Sequence, residues 1–485
     1  MSTSPIPKLI IPEQEQVLKR MKRVFDLQQT HREQVRRTDA NTRRHKLQRL
    51  KDWMMIHQQE IREALFADFR KPAVEADITE IFSTKKEIEF AQKNLSAWMK
   101  PRRVSTPLAL LGTRSRIVYE PKGVSLIMAP WNYPFYLILS PLVSAIAAGC
   151  TAIVKPSEMT PHTAALLNRM LSQLFLENEV AVFEGDYTVA EALLTLPFNH
   201  IFFTGSPAVG KQVMKAAAEH LTSVTLELGG KSPAIIDESA DLQDAAEKLV
   251  WGKFLNNGQT CVAPDYLLVQ KNVQQPLQEA LQRTIHKYYS PTGADVAASP
   301  DYARIVNARH HQRLTQLLES AIRKGARVVA GGQTSAQDRY IAPTILTDVT
   351  DEMEIMQQEI FGPLLPVLPY EQAEEAIAYV NKGEKPLALY IFSRNSGKTR
   401  QILENTSSGG VCVNDCVIHL GNPNLPFGGI NNSGLGASHG HHGFLAFSHE
   451  KALMKQRVGL TSLKVLYPPY NDQVRKLIAM TMKWF

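Results

Sequence analysis

Apolar positions recur at helical spacing through the first hundred residues of the chain. In residues 47–69, five apolar side chains fall close to one helical face; they are Leu47, Leu50, Met54, Ile61 and Leu65. This spacing predicts helices with one buried face. The segment that follows, residues 100–116, has no such period. It predicts a linker or an edge strand.

After residue 122 the pattern changes to short apolar runs that alternate with helical segments. The runs predict strands, in the order GVSLIMAP, TAIVKPS and HIFFTGS. The intervening and following segments predict helices: PLVSAIAAG, which Gly149 closes, TPHTAALLNRMLSQLF and GKQVMKAAAEHL. This alternation predicts a parallel sheet with helices on its faces. A second α/β run begins near SPAIID and extends to about GGVCVND.

Composition places the chain among globular proteins with two or three structural units. It has 485 residues, of which 44% are hydrophobic and 21% charged. Much of the net charge of +7 lies near the N-terminus, where basic residues alternate with acidic and apolar ones at helical spacing. This favours a solvated helical face over a nucleic-acid-binding arm, so we expect no nucleic-acid partner.

The cysteines and the apolar runs bear on the cellular compartment. The N-terminus lacks the apolar core of a secretory signal, and no segment has about 18 consecutive apolar residues. The four cysteines, Cys150, Cys261, Cys412 and Cys416, do not form the framework of a small secreted protein. We therefore expect a cytoplasmic protein with free thiols.

The loop FFTGSPAVGKQ lies between a predicted strand and a predicted helix. Gly205 and the pair Gly210-Lys211 have nearly the spacing of a P-loop, but Gln212 stands where a P-loop needs Ser or Thr for Mg²⁺. Pro207 stands where a dinucleotide fingerprint has its middle glycine. The loop by itself fits either a coenzyme loop at a helix N-terminus or a tight turn without a ligand. A phosphotransferase is disfavoured.

Two further segments carry reactive side chains, VTLELGGKSP and NNGQTCVAPD. In the first, a strand would bury Leu226 and Leu228 and turn Glu227 to the other face. Cys261 lies 34 residues after Glu227, just beyond a predicted helix, among small polar residues that could stabilise a thiolate. Taken alone, a cysteine in a large enzyme is more often a buried apolar residue than a nucleophile.

Several long motifs, taken in order, resemble those of the aldehyde dehydrogenase superfamily over residues 18–470. They are PWNYPF, KPSE, FTGSPAVGK, LELGGKSP, GQTCVAPDY, EIFGPLLPV and NLPFGG. GQTCVAPDY, LPFGGINNSGLGASHG and FSHEKALM most resemble the class 3 branch for fatty and aromatic aldehydes, which includes coniferyl-aldehyde-type bacterial enzymes. The resemblance implies NAD(P)-dependent oxidation of a hydrophobic aliphatic or aromatic aldehyde to its acid. The alternative is a catalytically silent relative that keeps only the fold.

The resemblance also implies site residues. Cys261 would attack the aldehyde carbon, Asn132 would stabilise the oxyanion, and Glu227 would activate the water that hydrolyses the thioester. The implied coenzyme contacts are Lys155, Glu158, Gly205, Ser206, Glu359 and Phe361. The acidic side chain in KPSE favours NAD because it repels a 2′-phosphate, although class 3 relatives often accept NADP as well.

No metal site is expected. The spacing of Cys412 and Cys416 does not match a structural zinc pattern, even with histidines nearby. Those histidines are expected in a solvated loop that edges the substrate entrance; they are His419, His439, His441, His442 and His449.

The implied fold is α/β, with a Rossmann-like coenzyme-binding domain, an α/β catalytic domain and a small β oligomerisation element. Residues 1–112 and 123–229 are assigned to the first, 230–415 to the second, and 113–122 with 443–470 to the third. Residues 416–442 form the expected substrate-entrance loop, and 471–485 an amphipathic C-terminal tail. The class 3 resemblance implies a homodimer. The tail has three interpretations: packing on the body, covering the substrate funnel, or peripheral contact with a membrane.

Overall fold

The computed structural model describes residues 12–107, 110, 112–459 and 461–484. The remaining parts of the predicted domains lie outside the described residues: the first eleven residues of the coenzyme-binding domain, three positions of the predicted linker, position 460 and the last residue of the tail.

Helices form the described chain before residue 100. Helices α1 to α5 are Pro12–Arg36, Ala40–Ile56, Gln58–Phe69, Ala73–Ala76 and Ser83–Trp98, with a π-helical turn at Asp77–Phe82 before α5. The periodic segment is therefore two helices, α2 and α3, which meet at His57. All five of its predicted core residues are fully buried. The helical spacing of the apolar residues continues from α2 into α3 because both helices pack on one hydrophobic core.

The predicted strand–helix alternation is confirmed. Two strands come first, β1 (Arg102–Val104) and β2 (Thr113–Pro121), so the predicted linker contains an edge strand. Then follow β3 (Val124–Met128), α6 (Tyr136–Ala148), β4 (Thr151–Lys155), α7 (Pro161–Leu174), β5 (Val180–Val182), α8 (Tyr187–Leu194), β6 (His200–Thr204), α9 (Pro207–Ala218) and β7 (Ser223–Glu227). Strands β3 to β7 form a parallel sheet in the order β7-β6-β3-β4-β5.

Burial on both faces explains why these strands have continuous apolar runs. Strands β3, β4 and β6 are buried at every position, and separate apolar cores cover the two faces of the sheet. The sequence did not predict β5 or α8. The first has only three residues and the second only eight, so neither shows a clear period.

The second α/β unit is confirmed between the predicted limits. Its elements are β8 (Pro233–Ile236), α10 (Leu242–Phe254), β9 (Tyr266–Gln270), α11 (Gln274–Tyr289), α12 (Ala308–Arg323), β10 (Arg327–Ala330), β11 (Thr334–Ser335), β12 (Tyr340–Ile341), β13 (Thr344–Thr347), α13 (Glu354–Gln357), β14 (Leu364–Tyr370), α14 (Ala373–Lys382), β15 (Ala388–Phe392), α15 (Ser396–Asn405) and β16 (Gly410–Val413). The sheet order is β10-β13-β14-β9-β8-β15-β16, in which only β10 pairs antiparallel.

The last part of the chain returns to the first unit. Its elements are β17 (Gly434–Leu435), α16 (Gly440–Ala446), β18 (Ser448–Gln456) and α17 (Asp472–Trp484). Strand β17 pairs antiparallel with β7, and β18 pairs antiparallel with β2 along its whole length. Strands β1, β2 and β18 make a separate three-stranded sheet. None of the helices in the described ranges has the length and apolarity to span a bilayer.

Candidate active site

Most of the predicted site residues lie at the carboxyl edge of the first sheet. Lys155 and Glu227 are the last residues of β4 and β7, and Gly205 follows β6 directly. Asn132 lies four residues beyond the end of β3. Because parallel strands point in one direction, their carboxyl ends bring these residues to one side of the molecule. This is the edge at which open α/β sheets bind ligands.

Cys261 and Glu227 line the same cavity at this edge. Its volume is about 320 Å³, and its wall combines residues from both α/β units. Most of the wall is apolar. The apolar lining residues include Ile78, Phe82, Leu137, Trp251, Ile418 and Phe427. Ile78, Phe82 and Ile418 are each about half exposed and mark the mouth. The cavity thus joins a thiol and a carboxylate to an apolar space that opens to solvent.

Cys261 follows a sharp turn of the chain after α10. Asn256 and Asn257 have positive φ angles of 54° and 57° in this turn. Burial raises the pKa of the Cys261 thiol to about 12, and the negative charges of Glu359 and Glu227 add to the rise. Burial and the two carboxylates therefore oppose a thiolate in this arrangement, whereas the nearby backbone N–H groups favour one; that the surroundings stabilise a thiolate stays a prediction.

Asn132 lies beside the residues that precede Cys261. Its Nδ2 donates to Gln259 O at 3.0 Å, and the neighbouring Tyr133 hydroxyl lies 2.6 Å from Thr260 Oγ1. Asn132 is buried, and its Oδ1 has no hydrogen-bond partner among the described residues. An amide nitrogen carries two hydrogens, so one N–H remains beyond the bond to Gln259. That N–H is the group which the oxyanion role requires.

Glu227 is buried, with 5% of its surface exposed. Its neighbours Leu226 and Leu228 are buried too, so the end of β7 is covered on both faces. Glu227 Oε1 accepts from Ser438 Oγ at 2.7 Å, whereas Oε2 has no partner among the described residues. Burial raises the pKa of Glu227 to about 8, and the bond from Ser438 opposes this rise. The buried position of Glu227 is therefore the main cause of its raised pKa.

The loop after β6 forms the N-terminus of α9. Ser206 Oγ accepts from Val209 N at 3.4 Å and caps the helix, with Pro207 at its first position. A Cβ at Gly205 would overlap the ring of Phe203, so packing requires glycine there. The positive end of the helix dipole faces this edge of the sheet, which suits a pyrophosphate.

Glu359 and Phe361 approach the same edge from the second unit. The Glu359 carboxylate lies so close to Gly229 that a Cβ at that glycine would overlap it. Burial raises the pKa of Glu359 to about 8, and the charge of Asp265 adds to the rise. Phe361 has a φ of 51°, and its ring packs edge-on against Trp131 with 5.3 Å between centroids. Close packing therefore fixes both side chains.

A second cavity connects the start of α9 with Glu359. Its volume is about 470 Å³, and Pro207, Gly230 and Glu359 are among the residues that line it. Lys155 and Glu158 lie outside it, after β4, where Lys155 Nζ is 2.8 Å from Glu158 Oε2. This arrangement fits a nicotinamide dinucleotide. The N-terminus of α9 suits the anionic pyrophosphate, and the carboxylates of Glu158 and Glu359 suit the ribose hydroxyls, which are hydrogen-bond donors.

The sequence did not reveal a buried ion pair beneath α6. Lys71 and Glu80 are fully buried, with 2.6 Å between Nζ and Oε1. Glu80 Oε2 accepts from Phe135 N and Tyr136 N, at 3.1 and 2.9 Å, where α6 begins. Lys71 Nζ lies 4.0 Å from the centre of the Tyr133 ring. The pair therefore holds the PWNYPF segment in place. The sequence did not predict it, because the pattern around Lys71 and Glu80 looks like that of the solvent-exposed charged residues nearby.

The histidines near the end of the chain do not all lie in a solvated loop. His439 is buried, with Nδ1 3.2 Å from Leu420 O and Nε2 3.2 Å from the Tyr136 hydroxyl. Its ring stacks on Phe427 with 4.9 Å between centroids. The prediction is wrong for His439 because α16 turns this segment inward against α5 and α6. His449 is exposed, but it lies in strand β18 and not in a loop.

The four cysteines are free thiols. Cys416 Sγ donates to Lys248 O at 3.1 Å, and Cys150 Sγ to Phe447 O at 3.3 Å, so both have packing roles. Within the described ranges, no cluster of three or more His, Cys, Asp or Glu residues is arranged to hold a metal ion. That the protein binds no metal stays a prediction.

Comparison with known proteins identifies the family. The model of the aldehyde dehydrogenase family matches residues 13–453. The chain is 45% identical to the 4,4′-diaponeurosporen-aldehyde dehydrogenase of Staphylococcus aureus, covering 94% of this chain and 97% of that protein. It is 43% identical to a probable coniferyl aldehyde dehydrogenase of Pseudomonas aeruginosa, covering 91% of each. It is also 43% identical to human aldehyde dehydrogenase family 3 member B1, covering 92% and 93%.

Solved structures of aldehyde dehydrogenases have the same fold as this chain. The substrate-bound state of Staphylococcus aureus AldH has a TM-score of 0.91 at 44% identity, covering 95% of this chain and 99% of that one. The NAD⁺ complex of a Bacillus cereus aldehyde dehydrogenase has a TM-score of 0.82 at 27% identity, covering 90% and 89%. The class 3 resemblance and the expected fold are confirmed, and the phosphotransferase interpretation is excluded. The chain belongs to the aldehyde dehydrogenase family and is an NAD(P)-dependent oxidoreductase that acts on aldehydes.

Proposed function

We propose that the enzyme oxidises a hydrophobic aldehyde, either aliphatic with a medium or long chain or aromatic, to its carboxylic acid. The observation that supports this most is the apolar cavity that Cys261 and Glu227 share. A hydrocarbon chain or ring placed there removes apolar surface from water, while the aldehyde group meets the thiol. The relatives named for a coniferyl aldehyde and for a diaponeurosporen aldehyde support the same substrate class.

Cys261 is the proposed nucleophile. Its sulfur adds to the aldehyde carbon and forms a thiohemiacetal, and the thiol proton is released to solvent through the mouth of the cavity. The remaining N–H of Asn132 donates to the carbonyl oxygen as negative charge develops. Negative charge is thereby placed on the former carbonyl oxygen, which has the Asn132 N–H as a donor, and not on the sulfur, where burial disfavours it.

NAD(P), when bound, supplies the hydride acceptor. We propose that Gly205 and Ser206 hold the pyrophosphate, that Lys155 and Glu158 meet the adenosine ribose, and that Glu359 holds the nicotinamide ribose with Phe361 packed beside it. Oxidation leaves a thioester on Cys261. NAD is the proposed preferred coenzyme, since the Glu158 carboxylate repels a 2′-phosphate, and NADP is accepted as well.

Glu227 then acts as the general base in the proposed hydrolysis. Its pKa of about 8 lies near neutral pH, where a carboxylate is a useful base. It removes a proton from the water that attacks the thioester carbon, and the acid is released with the Cys261 thiol restored.

The test is formation of reduced nicotinamide over short, long-chain and aromatic aldehydes, with NAD and NADP in parallel. We expect the highest kcat/KM for long-chain or aromatic aldehydes with NAD, and no turnover in Cys261→Ala. A preference for short polar aldehydes would contradict the proposed substrate class. Turnover that survives in Cys261→Ala would contradict the proposed nucleophile.

We also propose a cytoplasmic homodimer whose contact includes the three-stranded sheet. Strand β18 is an edge strand of nine residues, and eight of them are not buried. Leu453 and Met454 are 44% and 53% exposed there. An edge of this length with apolar side chains favours pairing with a second copy. Light scattering should give twice the chain mass, and Leu453→Lys with Met454→Lys should lower it to that of one chain.

A further inference from the structure

A short segment near the end of the chain covers the carboxyl end of β7. We call residues 433–438 the strap. Leu228 N donates to Ser433 O at 3.0 Å, and Gly434 pairs with Glu227 in the β17–β7 ladder. At its other end, Ser438 N donates to Phe427 O at 2.7 Å. The backbone of the strap is therefore fixed on both sides of Glu227.

The next residues anchor the strap further. His439 has a φ of 69° and is buried, with its Nε2 3.2 Å from the Tyr136 hydroxyl. Gly440 N donates to Glu87 Oε1 at 2.8 Å. A residue held at a positive φ, with one hydrogen bond on its ring and a buried one at the next residue, has little freedom to move. Ser438 consequently has a fixed position relative to the cavity.

The Ser438 hydroxyl stands between two acceptors. Its oxygen lies 2.7 Å from Glu227 Oε1 and 3.2 Å from Phe427 O, but it carries one proton. When Glu227 is ionised, this proton is donated to the carboxylate. When Glu227 is protonated, the proton can turn to Phe427 O, and Ser438 Oγ then accepts from the carboxylic acid. The hydroxyl can serve both states without any movement of the strap.

Among the described residues, Ser438 supplies the one hydrogen bond to the Glu227 carboxylate. The titratable groups that share the cavity wall with Glu227 are Cys261, Tyr133, Tyr136 and His439. Burial raises the pKa of Cys261 and of both tyrosines and lowers the pKa of His439, so these groups are neutral near pH 7. No neighbouring cation therefore replaces the bond from Ser438.

We propose that Ser438 is a positioning residue for the catalytic base: it orients the Glu227 carboxylate with Oε2 free toward the cavity and stabilises its ionised form. This rests on the proposed role of Glu227. Without the hydroxyl, the ionised carboxylate loses its donor, so a higher pH is needed to form the base. The thioester on Cys261 would then accumulate at neutral pH while its formation is little affected.

The experiment compares Ser438→Ala with Ser438→Thr, which keeps a hydroxyl. Ser448→Ala is the matched control, because Ser448 is also buried and its hydroxyl donates to a backbone oxygen, Phe444 O. For each we would measure kcat and KM between pH 6 and 10 and the pre-steady-state burst of reduced nicotinamide. We expect Ser438→Ala to lower kcat about tenfold at pH 7, with recovery at high pH, since a hydrogen bond to a charged group has about this effect.

The other readouts separate positioning from general damage. Ser438→Ala should leave KM for the aldehyde within about twofold and retain a full burst. Ser438→Thr should restore most of the rate, and Ser448→Ala should match the unsubstituted enzyme. A pH profile of Ser438→Ala equal to that of the unsubstituted enzyme would overturn the inference. Glu227→Gln tests the underlying role separately: if it keeps normal turnover, the proposed base itself is wrong.

Discussion

At the scale of single residues, burial decides the chemistry of the site. Cys261 and Glu227 both have raised pKa values, and in each case burial is the main cause. For the carboxylate this is useful, because it becomes a base near neutral pH. For the thiol it is an obstacle, which makes the attack depend on a donor for the developing oxyanion and on an acceptor for the proton.

The Asn132→Ala variant tests the oxyanion donor. We expect kcat to fall about 10²–10³-fold, because one donor to a developing oxyanion is removed. Coenzyme binding and the melting temperature should change little by comparison. The measurement is steady-state kinetics at saturating NAD and aldehyde. A kcat within threefold of the unsubstituted enzyme would show that Asn132 does not stabilise the transition state.

The Gly229→Ala variant tests Glu359. A Cβ at position 229 would overlap the Glu359 carboxylate and displace it, so we expect the Kd for NAD to rise about tenfold through loss of a charge-assisted hydrogen bond. Gly421→Ala is the control, because a Cβ there meets no atom within 4 Å. Fluorescence titration with NAD measures both. Equal affinities in the two variants would argue against Glu359 as a coenzyme contact.

At the scale of elements, the hydrophobic pattern of the sequence predicts most of the helices and strands. The features that it does not predict depend on contacts between distant parts of the chain. Strands β3, β4 and β6 were predictable because each is a continuous apolar run. Ser438 and the Lys71–Glu80 pair were not, because their roles depend on contacts with distant parts of the chain. His439 was misassigned for the same reason: its surroundings are polar in sequence, but α16 places it in the interior.

The Lys71→Met variant tests the ion pair beneath α6. It leaves the Glu80 carboxylate buried without its cation, so we expect the free energy of unfolding to fall by about 3–5 kcal/mol. Lys86→Met is the control, because Lys86 is 57% exposed and its pair with Glu89 is on the surface; the expected change is below about 1 kcal/mol. Urea unfolding gives both values, and similar losses would contradict a special role for the buried pair.

At the scale of the whole molecule, two α/β units and the returning C-terminal part together build one site. The cavity wall takes residues from the helical segments before β1, from both α/β units and from the segments on either side of β17. The sequence motifs indicated which residues belong to the site. They did not show the shape of the cavity, because side chains from separate parts of the chain determine it together.

Deletion of residues 471–485 tests the tail. In α17, Val474 is buried, whereas Ile478, Met480 and Met482 are 41%, 59% and 81% exposed. This exposure favours a role for the apolar face outside the core. We expect the deletion to change either the preference for aldehyde chain length or the binding to liposomes that contain anionic lipid. If both stay unchanged and only the melting temperature falls, the tail is a packing element.

The pairing of the strap with β7 also bears on when the enzyme becomes active during its synthesis. Ser438 and Glu227 are 211 residues apart in the chain. The five parallel strands of the first sheet are complete when β7 has been made, yet the base is uncovered until nearly the entire chain has left the ribosome. Contacts of such long sequence separation form slowly and late. A nascent chain can therefore hold a folded coenzyme-binding sheet well before it can turn over an aldehyde.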